Sequence, residues 1–581
     1  MSNNRSLLFA LCTRQLVFLA PLALLAVASG CYVIAFGSQF PFFDDLPIVA
    51  SLPADGTLNA STLLTPFNGF ITPMQVAATW ATWFFCGGNL RPLLFASTLV
   101  FVFSSGFCLA AVRRLRGRPD FDDWLVPLAC LGTGHWIQLI WAINFYLIAA
   151  VASGCAVLLL GHLWNKDMHR GRLTALCLAT TLLGVQGGAG LLMALGLVPF
   201  LAVCLVTDGE RLGFRNTSVT FALTVTFLVV FLVVQIHASG ADVAPRSSVL
   251  QKAKVALQVL ASLLPGLGQA IWPISGLFAF GLFVATAWAL FSASQPGDFF
   301  VRAPYKELSL LLPPVALAAG IGFARGYENG FKPHYATLMI PAWVTLLAAW
   351  AKLPQNGLSV GLSRTSLVML AVATGLDFRP AIAVGRQRRQ ASQQLEKDIA
   401  NGRPLDWIAA EHSDYWRFGQ TDLFAQQLDR IRVMGKGALG MVADSPRLEF
   451  TAVDTTPTSA WHAVQCDKRW LLKDDAALHF APAKGNFSAV RIKFRILAPG
   501  GSAYVAIAAG PSSRGAGACH AIRRRNIPLI PVWDVASMRS CSSTVVFDQP
   551  ADSFVFYAHT SESQIVIDAV DVGSFAPSKR D

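Results

Sequence analysis

At 581 residues, 54% hydrophobic and only 14% charged, the chain is far more apolar than a soluble domain, in which about a quarter of residues are charged. Apolar runs near the roughly 20 residues that cross a bilayer recur through its first two thirds, and backbone groups shielded from water there must be satisfied within helices. The formal net charge of +12 does not argue for a nucleic-acid partner. Arg113, Arg114, Arg116 and Arg118, then Lys166, His169, Arg170 and Arg172, then Arg211 and Arg215, each follow an apolar run, as cytoplasmic loops do.

The first span is expected at about Leu16 to Phe36, running outward after Arg5 and Arg14. Its end, Val27-Ala28-Ser29-Gly30-Cys31, is similar to a lipoprotein cleavage site, but Tyr32 to Phe36 continue the apolar run and favour a span. A long outer loop, 37–89, follows. Within it Pro73 to Phe85 is apolar and Trp-rich, too short to span, and expected in the interface. Further spans are expected at Leu93 to Val112, Trp124 to Trp136, Phe145 to Trp164, Leu173 to Val185, Leu191 to Val206 and Val219 to Ile236. The segment Ser247 to Leu264, with Lys252 and Lys254, is amphipathic and suits the outer surface. Four more spans are expected at Ala270 to Phe291, Leu308 to Phe323, Tyr335 to Trp350 and Ser366 to Val384. About eleven spans, an odd number, place the tail opposite the cytoplasmic N-terminus. Arg379, Arg386, Arg388 and Arg389 oppose this, although large C-terminal domains translocate under weaker charge control.

Residues 386–446 read as a polar helical connection. From about Arg447 the period changes to two, as in Ala489-Val490-Arg491-Ile492-Lys493-Phe494 and Ser563-Gln564-Ile565-Val566-Ile567. The expected fold is therefore a mainly α polytopic membrane domain over 1–385, carrying an all-β, sandwich-like extracytoplasmic domain over 447–581. Eight of the eleven cysteines lie in or beside apolar runs, as small core residues. Cys466, Cys519 and Cys541 lie in the tail, where an oxidising compartment permits one disulfide and leaves an odd thiol. Trp461, His462, Trp470 and Trp533 suit core packing better than sugar stacking, and Arg523, Arg524 and Arg525 suit a solvated face. No catalytic triad, metal cluster or nucleotide-binding fingerprint is evident.

The most informative stretch is Phe42-Phe43-Asp44-Asp45-Leu46-Pro47, directly after the first span. Paired carboxylates at a membrane surface repel each other and resist desolvation unless they serve something. One can act as general base on a hydroxyl while the other orients the acceptor or a metal. The alternative is a pair of solvated loop acids.

An acid pair after the first span, a long first outer loop and about eleven spans followed by a soluble domain resemble the C-type glycosyltransferase superfamily. More narrowly, they resemble an uncharacterised bacterial branch of it. The resemblance covers about Leu16 to Val384. Asp44 and Asp45 match the acid pair. Trp136, Gln138, Trp141 and Asn144 are similar to the loop after the third span, and Gln186 to Gly190 to a glycine-containing turn. Tyr335 stands where related chains have an Arg-Tyr pair, with His334 in place of Arg. Where the group has Asn-Glu-His-Arg, this chain reads Asn68-Gly69-Phe70-Ile71 and lacks a carboxylate and two basic groups.

The resemblance implies transfer of a sugar from a polyprenyl-phosphate donor to an envelope glycan or lipid at the periplasmic face of the bacterial inner membrane, among membrane lipids. It implies Asp44 as the base and Asp45 as the residue that orients the acceptor or helps hold a divalent cation, if one is used. A lipid phosphate needs cations near the outer surface, and the loop Arg325 to His334 supplies Arg325, Lys332 and His334. Arg325 is the best bidentate partner, with Arg91 a further candidate; the alternative is snorkelling of long cationic side chains. Trp136 and Trp141 suit stacking on a sugar or the aromatic belt, with Gln138 and Asn68 as further contacts. Two other classes fit the chain: a flippase for a lipid-linked saccharide, which predicts related halves and midplane charges, and a non-catalytic envelope protein that keeps the fold.

Overall fold

The computed structural model describes residues 2–67, 70–165, 167–212, 214–238, 248–293, 304–326, 330–353, 357–417 and 421–442, and thereafter the strand residues 448–452, 459–466, 469–480, 487–496, 503–510, 521–525, 540–551 and 553–575. Packing divides the chain into two units, 1–48 with 56–389 and 49–55 with 390–581.

In the first unit the chain shuttles between two ends of a helical bundle. Helix α1 (Ser2–Phe36) reaches the first end, where α2 (Asp45–Ser51) and α3 (Ala60–Leu63) follow. The antiparallel arms β1 (Pro66–Phe67) and β2 (Phe70–Ile71) come next, and then α4 (Pro73–Phe85). Helix α5 (Arg91–Arg116) starts at that end, where Arg91 Nε donates to the Gly37 carbonyl at 3.0 Å. It stops at the left-handed Gly117 (φ 79), a conformation that glycine adopts without a Cβ penalty. At this opposite end Arg113 and Arg116 hold Asp123 at 2.7 and 2.5 Å.

The return passes through the short helices α6 (Leu125–Leu131) and α7 (Trp136–Leu139), flanked by 3-10 turns. Helix α8 (Phe145–Trp164) descends, α9 (Arg170–Val185) returns, and α10 (Gly188–Leu212) and α11 (Phe214–Ala238) repeat the traverse. Then come α12 (Val249–Ala261), α13 (Leu267–Ala270), α14 (Ile274–Ser292), α15 (Pro304–Ser309), α16 (Leu312–Ala324), α17 (Pro333–Leu338), α18 (Ile340–Lys352) and α19 (Gly357–Ala400). Helices α4, α5, α16, α17 and α18 carry proline in the first turn, where its missing N–H has no partner to lose.

Among the described residues, nine helices are long and apolar enough to cross a membrane, so the chain is an integral membrane protein. Two expected spans differ in form. Trp124 to Trp136 is broken into short pieces around Gly132 and Gly134, and α9 has 16 residues. Both still run between the two ends. Asp123 lies with Arg113 and Arg116, while Trp141 Nε1 donates to the Phe42 carbonyl at 3.3 Å. Arg172 at the start of α9 donates to the Asp167 carbonyl at 2.7 Å, and Gly187 beyond its end abuts the Tyr146 ring. Among the described residues these two segments run between the ends beside the nine long apolar helices, where hydropathy suggests about eleven spans.

First and last traverses run parallel. Tyr32 Oη donates to the Ala381 carbonyl at 2.9 Å, and one turn on in both helices Phe36 packs against Gly385. Parallel first and last helices require an odd number of crossings. The arginines Arg113, Arg114, Arg116, Arg170 and Arg172 gather at the end opposite the first loop, the distribution expected of a cytoplasmic face. Lys166 and the side chains of Arg211 and Arg215 lie outside the described residues.

That basic end is locked by a buried polar network. Glu307 accepts from His162 Nδ1 at 2.8 Å, from Asn165 Nδ2 at 2.6 Å and from Lys352 Nζ, while Lys306 pairs with Asp208 at 2.5 Å. Removing one member of such a network leaves charges buried without a partner. Glu307→Ala is therefore expected to destabilise the protein by about 3 kcal/mol, read as a lowered thermal midpoint in detergent. An unchanged midpoint would mean that the network relaxes without cost.

In the second unit, α20 (Leu405–Arg417) packs on α21 (Thr421–Val433), and His412 Nε2 meets Asp398 Oδ2 at 2.9 Å. Eight strands follow: β3 (Leu448–Ala452), β4 (Ser459–Cys466), β5 (Arg469–Phe480), β6 (Phe487–Ile496), β7 (Ala503–Gly510), β8 (Ala521–Arg525), β9 (Ser540–Ala551) and β10 (Ser553–Phe575). Every pairing is antiparallel, so this part is all-β as its alternation indicates. Strand β10 is the hub. Its first half lies between β5 and β7, and its second half pairs with β6 on one side and with β5 and then β3 on the other, with register shifts after His559 and Ile567. Val490 and Ile492 are buried opposite Val572 and Val570, the period-two core pattern. Cys466 and Cys541 fall on β4 and β9, Trp461 and His462 on β4, Trp470 on β5, and Arg523 to Arg525 on β8. Their side chains, and Cys519 and Trp533 altogether, lie outside the described residues.

Candidate active site

The acid pair sits on a strained turn. Among the described residues, Phe43 is the non-glycine with positive φ, at 47°. A bulky residue in this region is disfavoured by about 1–2 kcal/mol, so the surroundings must over-determine it. They do. Asp45 N–H donates to the Phe42 carbonyl at 2.8 Å, Asp45 Oδ2 accepts from Phe42 N–H at 3.0 Å, and the Phe42 carbonyl also takes the Trp141 indole N–H. The Trp141 ring closes on Phe42 and Phe43 with centroids 5.6 and 6.1 Å away.

The two acids meet different environments. Asp45, the first residue of α2, is 2% exposed, and its Oδ1 has no hydrogen-bond partner. Burial pushes its carboxyl up to about 7. The neighbouring Asp44 charge adds to the rise, while the Phe42 amide, the Arg388 charge and the Ile143 amide oppose it. Asp44 is half-buried, and Tyr146 lies within electrostatic reach of both Asp44 and Arg325. An acid, a phenol and a guanidinium thus act on one another electrostatically at the N-terminal end of α8.

His334 feels the charges of both Lys332 and Arg325, and its ring meets Tyr335 at 4.4 Å. The Arg325 guanidinium lies over the Phe70 ring at 5.5 Å, so an aromatic ring covers one face of this cation. Residues Tyr327, Glu328 and Asn329 of the same loop lie outside the described residues, as does Asn68. Ile71 is fixed by Gln235, which accepts from its N–H at 3.0 Å and donates to its carbonyl at 2.8 Å.

The remaining expected residues take other places. Arg91 is exposed and fastens the root of the first loop at Gly37 rather than joining the acid pair. Trp136 is 4% exposed, with its ring 5.0 Å from Tyr32 and 5.9 Å from Phe378 and its N–H on the Leu131 carbonyl, a packing role. Trp141 holds the acid turn. Gln138 is 1% exposed and its Oε1 has no hydrogen-bond partner, a group that costs about 1–3 kcal/mol when left so. The glycine turn Gln186 to Gly190 abuts Phe70, Thr72 and Tyr146 and so borders the cluster.

Three residues escaped the sequence reading. Tyr146 had no signal beyond lying next to the Trp141 loop. Gln75 is buried on an apolar helix, the signal it did give. Its Oε1 accepts from Tyr146 N–H at 3.1 Å, and its Nε2 donates to Thr79 Oγ1 at 2.9 Å and to the Ala142 carbonyl at 3.2 Å. Arg388 speaks in the sequence only as a charge that opposes an outward tail.

A divalent cation would need more than this pair supplies. Among the described residues no group of three or more His, Cys, Asp or Glu side chains could hold a metal ion. Among the described residues the two acids supply a divalent cation with carboxylates and no third His, Cys, Asp or Glu ligand, fewer than such an ion takes.

No family model matches the chain, and no curated protein matches it. Among solved structures it is similar to the crystal structure of ArnT from Cupriavidus metallidurans in the apo state, at 17% sequence identity and a TM-score of 0.37, over 74% of this chain and 77% of that chain.

Proposed function

We propose that the chain is a glycosyltransferase that moves a sugar from a polyprenyl-phosphate carrier to an envelope glycan or lipid at the periplasmic face of the bacterial inner membrane. The observation that carries this reading is the convergence of Asp44, Tyr146 and Arg325 at the end of the bundle opposite the arginine-rich loops. The sequence resemblance of residues 16–384 to the C-type superfamily supports it. Asp44 accepts the proton of the acceptor hydroxyl as that oxygen attacks the anomeric carbon. The bond from that carbon to the phosphate oxygen breaks on the opposite face, which inverts the centre. Arg325 and Lys332 stabilise the phosphate as its negative charge rises. Asp45 orients Asp44 by closing the turn at Phe42.

The experiment is glycan profiling of the envelope in strains whose copy carries Asp44→Asn or Asp45→Asn, beside the parent. Loss or simplification of a glycan is expected, and an unchanged pattern removes the enzymatic reading. Arg325→Ala should slow transfer about a hundredfold, as removal of a preorganised donor to a developing oxyanion does. Turnover in membranes prepared from the host reads this, and a rate equal to the parent's would take Arg325 out of the site.

A further inference from the structure

Four arginines close the last traverse where the charge rule disfavours them, and the structure separates one from the rest. Arg379, Arg386 and Arg389 are exposed, whereas Arg388 is 3% exposed. A guanidinium is among the side chains least often buried without a partner. Arg388 lies over the Phe42 ring at 4.1 Å, and its charge acts on the Asp45 carboxyl. The register of the parallel helices brings it there. Tyr32 meets Ala381, Phe36 meets Gly385, and the next inward position of α19 is Arg388, beside the turn that follows α1.

We propose that Arg388 is the positioning residue of the acid pair, holding Phe42 and Asp45 so that the turn through Phe43 stays in the conformation that presents Asp44. This deepens, and rests on, the reading of Asp44 as the base. The stack fixes the Phe42 ring from one side while Trp141 meets it edge-on from another, with the centroids 5.6 Å apart. The positive charge opposes the desolvation of Asp45, whose Oδ2 closes the turn. The groups that face this carboxyl are Arg388 from α19, Asp44 on the same turn, and the amides of Phe42 and Ile143. An arginine at this place is needed outside, which is why the charge rule is broken here.

The test uses the full chain in lipid nanodiscs, as the parent and as R388Q, R388K, D45N and the double variant D45N with R388Q. Hydrogen exchange of the peptide spanning residues 40–47 reads the turn, and the pH dependence of the thermal midpoint reads Asp45. In R388Q, exchange of that peptide should rise at least tenfold, and the pH midpoint that D45N removes should move upward. R388K, which keeps the charge over the ring but loses the planar stack, should restore most of the titration and part of the protection from exchange, and R388Q in the D45N background should show no pH midpoint. A merely structural arginine would lower the thermal midpoint at every pH without moving the titration. That result, or exchange equal to the parent's, overturns the proposal. Envelope glycans of the D44N strain read the transfer itself, so an unchanged profile there removes the enzymatic reading while the exchange and titration still decide Arg388.

Discussion

Asp44→Asn is expected to lower sugar transfer about a thousandfold while leaving the concentration dependence on the lipid donor almost unchanged. An amide of the same shape keeps the turn, because the Asp45 amide on the Phe42 carbonyl and the Phe42 amide on Asp45 Oδ2 close it. It cannot take a proton from the acceptor hydroxyl. A positioned general base contributes about a hundred to ten thousandfold, and the middle of that range sets the expected loss. Loss in turnover without loss in donor affinity distinguishes a base from a binding residue. Initial rates across donor concentrations check this. Equal losses in both parameters would mean that Asp44 holds the donor instead.

Asp45→Asn should act in a different way, because the two neighbours differ in burial. The folded value of about 7 lies above the ordinary 3.8, so the native state holds a proton that the unfolded chain releases. Stability from this group is therefore complete below about pH 4, falls as the pH rises through about 7, and levels off above it. Across that window the loss is on the order of 4 kcal/mol. An asparagine is permanently in the protonated condition and keeps the acceptor for the Phe42 amide. Asp45→Asn should match the parent near pH 4 and exceed it above pH 7, with a higher thermal midpoint there. Parallel melting curves at every pH would show that Asp45 is not the desolvated group. Transfer by this variant should fall about tenfold, less than for Asp44→Asn, because what it loses is orientation rather than the proton acceptor.

Most of the scaffold is legible in hydropathy because a bilayer imposes one length and one kind of backbone. The limits of α4, Pro73 to Phe85, and the alternation of Val490 and Ile492 in β6 could be read directly from the residues. The traverse through α6 and α7 could be placed but not shaped. Gly132 and Gly134 fall in its middle, and the chain there must pass close to Thr374 and Pro265, where a side chain would collide. Such crowding is a tertiary fact.

The site was half legible. Two adjacent acids at a bilayer edge are conspicuous because water is scarce there, and Arg325 and Lys332 stand in a short polar loop. Arg388 is the instructive failure. Its position in the sequence speaks only of topology, and its pairing with Phe42 depends on α1 and α19 running parallel. Trp136 and Trp141 look alike in sequence, yet one packs between Tyr32 and Phe378 and the other braces the acid turn. Phe70 likewise acquires its place only in the fold. The ring lies under Arg325 and gives this cation an aromatic floor, which nothing in the sequence around Phe70 announces.

The most direct measurement of the central claim is mass spectrometry of the polyprenyl-phosphate pool in cells lacking the protein and complemented with either the parent or Asp44→Asn. The account predicts a sugar-loaded carrier that accumulates without the protein, is drawn down by the parent, and stays high with Asp44→Asn. Identical pools in all three strains would contradict it.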